Sequence, residues 1–87
     1  MAHLVSQPGS VATLPEHLSY RGIADDLADR IRSGEYPPGA RLPSTAQLAV
    51  LYSVNRSTIV RAVGLLHYAG LVEGVQGVGV FVVGALP

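Results

Sequence analysis

The sequence predicts a mainly α fold, three helices followed by one small β-hairpin, and three observations carry that expectation. Apolar residues recur with a helical period in three separate stretches. Each of those stretches opens on a side chain suited to cap a helix. After them come two short β-branched runs separated by a glycine-rich segment, the pattern of a hairpin. A chain of 87 residues, 48% hydrophobic and 14% charged, has enough apolar material for one domain with one modest core.

Residues 1–18 carry Pro8, Gly9, Ser10, Thr13 and Pro15 with neither helical nor strand period, and read as a flexible N-terminal tail. Ser19 then caps a first helix from Tyr20 to about Ser33, in which Tyr20, Ile23, Leu27 and Ile31 form one apolar stripe. Asp25, Asp26, Asp29, Arg30 and Arg32 fall mostly on the other sides as a solvated face, acids before bases in the order the helix dipole favours. Gly34 stands where a left-handed C-cap belongs.

Pro37, Pro38 and Gly39 make a rigid turn, and Ala40, Arg41 and Leu42 have room for only a very short strand before Pro43. Ser44 with Gln47 three residues on is a capping box for a second helix, in which Leu48 and Leu51 put apolar weight on one face. Ser53 and Val54 break the pattern. Asn55 is suited to cap a third helix that opens Arg56-Ser57-Thr58 and runs to about Ala69, with Ile59, Val63 and Leu66 toward the core and Gly70 as its stop. Leu71-Val72-Glu73 reads as a strand, residues 74–79 as a glycine-rich tip, and Val80, Phe81, Val82 and Val83 as the returning strand. Two short helices around a tight corner, then a hairpin, is the order of a winged helix-turn-helix. A third helix whose first turn is polar and cationic has the form of a recognition helix, which enters the major groove of duplex DNA by its N-terminal residues.

Charge weighs against that reading. Six arginines, no lysine and six acids leave a formal net charge of zero, whereas phosphate neutralisation supplies much of a compact DNA-binding domain's affinity. Neutral balance is compatible with DNA only if the arginines cluster.

Other classes find less support. Without cysteine there is neither a disulfide nor a thiolate metal site. No run reaches the roughly 18 uncharged apolar residues of a membrane helix, and the N-terminus lacks the basic and apolar regions of a signal peptide. The expectation is a cytoplasmic, nucleoid-associated protein with no membrane partner. His3, His17 and His67 share no ligand spacing, and no nucleophile–base–acid set, phosphate loop or carboxylate pair stands out, so no metal, no cofactor and no enzyme is expected.

With the elements placed, the chain resembles the N-terminal domain of the GntR family of bacterial transcription regulators. The resemblance is carried by Tyr20-Arg21-Gly22-Ile23-Ala24, by residues 33–44 (Ser-Gly-Glu-Tyr-Pro-Pro-Gly-Ala-Arg-Leu-Pro-Ser) and by Asn55-Arg56-Ser57-Thr58. Leu65-Leu66, Ala69-Gly70-Leu71-Val72, the Gln76-Gly77 wing tip and Phe81-Val82 complete it. It implies a winged-helix domain over residues 19–84, a third helix in the major groove, a wing on the adjacent minor groove, and a dimer reading two half-sites. The DNA-contact residues it implies are Arg21, Ser44, Thr45, Asn55, Arg56, Ser57, Thr58, Arg61, Gln76 and Gly77. Residues 85–87 are then a C-terminal end without the effector domain usual in the family, making the chain a stand-alone module.

Departures from the family pattern temper the expected affinity. Thr45 and Ala46 replace an acid and an arginine, Val60-Arg61 replaces an arginine pair, Val75 and Val78 replace the cations that bracket the wing tip, and Ser53 replaces the glycine of the corner. Arg21, Arg56 and Arg61 from each of two copies would neutralise about six phosphates, a log–log salt slope of roughly −5. Val60, facing the groove, would suit a thymine methyl. The function expected is sequence-specific duplex binding by a small bacterial or phage regulator that represses transcription. The alternative, favoured by those lost cations, is a winged helix that works as a protein-interaction module. Residues 80–83 are apolar on both faces, where a half-buried hairpin alternates, and this predicts a homodimer or protein partner against that strand.

Overall fold

The computed structural model describes residues 19–84, and the stretches assigned above to the tail (1–18) and the C-terminal end (85–87) lie outside the described residues. Its elements are α1 (Tyr20–Ser33), α2 (Thr45–Tyr52), α3 (Arg56–Tyr68), β1 (Val72–Val75) and β2 (Gly79–Val82). This is the predicted mainly α fold, three helices and a two-stranded antiparallel hairpin.

The helix ends form as their capping residues dictate. Ser19 Oγ accepts from Gly22 N at 3.0 Å, and Gly34 at φ +88 closes α1 with its N–H turned back to the carbonyls of Arg30 and Ile31. At α2 both halves of the capping box are made: Ser44 Oγ accepts from Gln47 N at 3.1 Å, and Gln47 Oε1 accepts from Ser44 N at 2.8 Å. Asn55 departs from expectation. It is the N-cap of α3, yet its side chain makes no cap hydrogen bond; only its carbonyl joins the helix, accepting from Thr58 N at 3.1 Å and Ile59 N at 3.4 Å.

α1 packs chiefly across α3, and α2 closes the same core from the side. Ile23, Leu27, Ile59 and Ala62 are wholly buried there, with Ala24, Ala28, Leu42, Leu48, Leu66, Val72 and Val82 nearly so. One expectation about this core needs correction. Leu51, placed beside Leu48 on one face, is 58% exposed. The inward side of α2 instead passes through Leu48, Ala49 and Tyr52, because the Tyr52 hydroxyl reaches α1 and donates to Asp26 Oδ2 at 2.6 Å. On α3 it is Ala62 that is fully buried, while Val63 is only half-buried, because residues 59, 62 and 66 share the inward stripe.

The charged side of α1 is likewise more than a solvated face. Asp26 Oδ2 accepts from Arg30 Nε at 2.9 Å as well as from Tyr52, and Arg30 continues to Glu35 at 2.7 Å. Burial, and then the hydrogen bond to Asp26, holds the Tyr52 phenol above its ordinary range. The neighbouring Arg32–Asp29 pair at 3.6 Å is exposed and of little worth to stability.

The hairpin zips further than its glycines suggested. Val72 pairs with Val82, Glu73 with Phe81, Gly74 with Val80 and Val75 with Gly79, which leaves only residues 76–78 as the tip. Val78 N donates to Val75 O at 2.9 Å, and Gly77 takes φ +77 at the third position of that turn. The far edge of β2 is also occupied: Arg41 bridges to Phe81, Leu42 N donates to Val80 O at 2.8 Å, and Val82 N donates to Ala40 O at 2.8 Å. Both edges of β2 are thus hydrogen-bonded within the chain. Val82 is buried, and Val80, Phe81 and Val83 are half-buried.

Ser53 turns the corner between α2 and α3 at φ 57, ψ 47, the single non-glycine with positive φ among the described residues. Its N–H caps the carbonyls of Ala49 and Val50. A left-handed L-residue costs roughly 1–2 kcal/mol, part of which glycine returns through its greater freedom in the unfolded chain. Ser53→Gly is therefore expected to stabilise the domain by about 1 kcal/mol, raising the thermal midpoint by roughly 4–8 °C. Calorimetry checks this, and an unchanged or lower midpoint would refute it.

Candidate nucleic-acid interface

α3 owes its exposed N-terminal face to its own packing. Ile59, Ala62 and Leu66 turn inward, so Arg56, Ser57, Val60 and Arg61 turn outward, with Thr58 half-buried between. No ion pair holds Arg56 or Arg61 among the described residues. The hydroxyls of Ser57 and Thr58 make no hydrogen bond there either, so neither is consumed in capping the helix. The Asn55 amide, likewise not engaged in the cap, sits exposed beside Arg56. The opening of α3 thus presents two guanidiniums, two hydroxyls and an amide to solvent.

Tertiary packing adds a second element to this face. The start of α1 lies against α3, and Ser19, Tyr20, Ser57, Thr58 and Arg61 line an open cleft of about 320 Å³. Guanidiniums approach the Tyr20 ring from both helices: the Cζ atoms of Arg61 and Arg21 lie 5.7 Å and 5.9 Å from its centroid. The negative face of the ring is attracted to each cation, and so it holds two like charges close together beside two hydroxyls. Such a cluster suits a phosphate, whose oxygens accept from guanidinium and hydroxyl alike. Sequence reading singled out Arg21 and Arg61 separately and missed Tyr20, whose place in the α1 stripe marked it as core. Its signal was an aromatic flanked by an arginine at the very start of a helix.

The wing side is less cationic. Ser44 and Thr45 open α2 and share a cleft of about 220 Å³ with Arg41, Val63, Gly79 and Val80. Ser44 Oγ is committed as an acceptor to the capping box, which leaves its hydroxyl proton to donate. Gln76 and Gly77 are exposed at the hairpin tip, as expected, between the exposed Val75 and Val78.

The packing also accounts for the neutral charge balance. Arg30 and Arg32 are engaged with Asp26, Glu35 and Asp29 along α1 and the turn after it. Arg21, Arg41, Arg56 and Arg61 form no ion pair among the described residues, and all lie on α3 or on segments packed beside it. A chain of zero net charge thus carries a cationic face.

No group of three or more potential metal ligands occurs among the described residues. No helix among them is long and apolar enough to cross a membrane. Residues 19–82 match the family described as "Bacterial regulatory proteins, gntR family". The HTH-type transcriptional regulator YdfD of Bacillus subtilis is 41% identical over 64 residues, covering 74% of this chain and 13% of that protein. The histidine utilization repressor of Klebsiella aerogenes is 38% identical over 63 residues, 72% of this chain and 26% of the repressor. The chain therefore spans a small part of the length of these curated relatives. Among solved structures, the DNA-binding domain of AraR in complex with operator ORX1 superposes with a TM-score of 0.70 at 33% identity, covering 72% of this chain and 76% of that one.

Proposed function

The chain belongs to the GntR family of bacterial regulatory proteins, DNA-binding regulators rather than enzymes, and from that premise we propose that it recognises a specific duplex sequence and represses transcription by occupying it. In this reading α3 lies in the major groove with Arg56, Ser57, Thr58 and Asn55 toward the base edges and adjoining phosphates. Arg21 and Arg61, held on Tyr20, grip the backbone beside it, while Ser44 and Thr45 donate to phosphates at the start of α2. Gln76 and Gly77 bring the wing tip to the minor groove.

The observation that carries the proposal is the segregation of charge: acids engage two arginines on α1, and four others remain unpaired around α3. The AraR domain, of the same shape, is bound to its operator in the solved complex, and the repressors among the relatives favour repression over activation. The protein would work on the nucleoid. Two copies reading two half-sites remain part of the proposal. The alternative, a protein-interaction module, draws its support from the uncharged hairpin tip.

Selection of bound duplexes from a random DNA pool tests the proposal. Enrichment of one motif is expected, palindromic if two copies bind in symmetry. A pool that emerges unenriched at low salt would leave the interaction-module reading standing instead.

A further inference from the structure

The hairpin that should track a DNA strand has no cation of its own: its one charged residue from Val72 to Val82 is Glu73, and its tip exposes Val75 and Val78. A surface of that kind repels or ignores phosphate. Arg41 stands beside it. The bridge between Arg41 and Phe81 ties the segment before α2 to the edge of β2 away from β1, and the side chain lies close to Gly79. A Cβ built on Gly79 would meet Arg41 Nε at 2.7 Å and Cζ at 3.5 Å, so the guanidinium lies directly against the bare glycine at the base of the wing. Gly79 also takes φ +148, which side-chain-bearing residues rarely adopt. The backbone at this position therefore favours glycine.

We propose that Arg41 supplies the wing's missing charge and, with the hydroxyls of Ser44 and Thr45, forms a second phosphate-binding point on the DNA backbone between α3 and the hairpin. Three features support it. Arg41 is exposed and forms no ion pair among the described residues. It shares one open cleft with Ser44 and Thr45, the first residues of a helix whose N-terminal dipole adds to the attraction for an anion. The cleft also includes Val63 of α3, so an oxygen held there stays close to the groove that α3 would occupy. Tyr20 and Arg61 line a separate cleft with Ser57 and Thr58 at the start of α3, so the backbone would be held at two points.

The inference rests on the DNA-binding reading and has its own signature, the salt dependence of affinity. Each phosphate contact contributes about −0.9 to the slope of log K against log salt. Wild type is therefore expected to lose about 3.5-fold more affinity per bound copy than Arg41→Ala between 50 and 200 mM salt. Fluorescence anisotropy on a selected duplex measures this, with Arg41→Lys expected to keep the wild-type slope and Arg32→Ala, whose guanidinium is paired on α1, expected to change nothing. Circular dichroism melts of each variant separate a lost contact from a loosened wing. Wild-type binding with an unaltered slope in Arg41→Ala would overturn this inference and leave the DNA-binding reading intact. No binding by wild type at low salt would overturn both.

Discussion

Arg56→Ala is expected to weaken binding to a selected duplex by about one to two orders of magnitude per bound copy, the range for a guanidinium placed on a base edge or phosphate. The residue opens α3, is exposed, and has no acid to hold it back among the described residues. The way the loss is distributed identifies the contact. If Arg56 donates to a guanine edge, the mutant loses affinity for the selected sequence and little for a scrambled one, so specificity at one base pair relaxes. If it meets a phosphate, both duplexes weaken together and the salt slope becomes shallower by about 0.9 per copy. Anisotropy titrations of both duplexes at two salt concentrations distinguish these results. Wild-type affinity in Arg56→Ala on every duplex would remove the recognition role assigned to α3.

The second large effect concerns stability. Leu27 is wholly buried in α1, within the core that joins that helix to α3. Its truncation to alanine removes three carbons from the core and leaves a cavity, a loss of roughly 2–5 kcal/mol. A domain of this size holds only about 5 kcal/mol in total. Leu27→Ala is thus expected to lower the thermal midpoint by about 10–20 °C, with DNA binding failing on warming because the chain unfolds. Leu51→Ala is the informative companion. The sequence alone puts Leu51 on the same apolar face as Leu48, yet it is exposed, and its truncation should stay within about 0.5 kcal/mol. Denaturant titrations of the two variants settle the matter, and equal losses would contradict the orientation of α2.

The same contrast shows where sequence reading succeeds. The caps at Ser19, Gly34 and Ser44 and the hairpin around Gly77 follow from interactions between residues a few positions apart, and they stand where those residues predict. Ile23, Leu27, Ile59 and Leu66 follow from periodicity over one helix. The misplacements arise where two elements negotiate. Tyr52 reaches Asp26 on α1 while Leu51 turns outward, and on α3 the wholly buried position is Ala62.

The inventory is legible from the order of residues alone: three helices, one hairpin, a polar opening to α3, and six arginines matched by six acids. How those charges are distributed depends on the packing of the helices and the hairpin. A net charge is a sum, unchanged by any rearrangement of the chain, whereas a field at a surface depends on which opposite charges come within a few ångströms of one another. Folding draws Asp26, Asp29 and Glu35 onto Arg30 and Arg32, gathers Arg21 and Arg61 on one tyrosine ring, and lays Arg41 along Gly79. The electrically neutral chain thereby acquires a face suited to phosphate, because neutralisation acts at contact distance and the unpaired arginines lie beyond it.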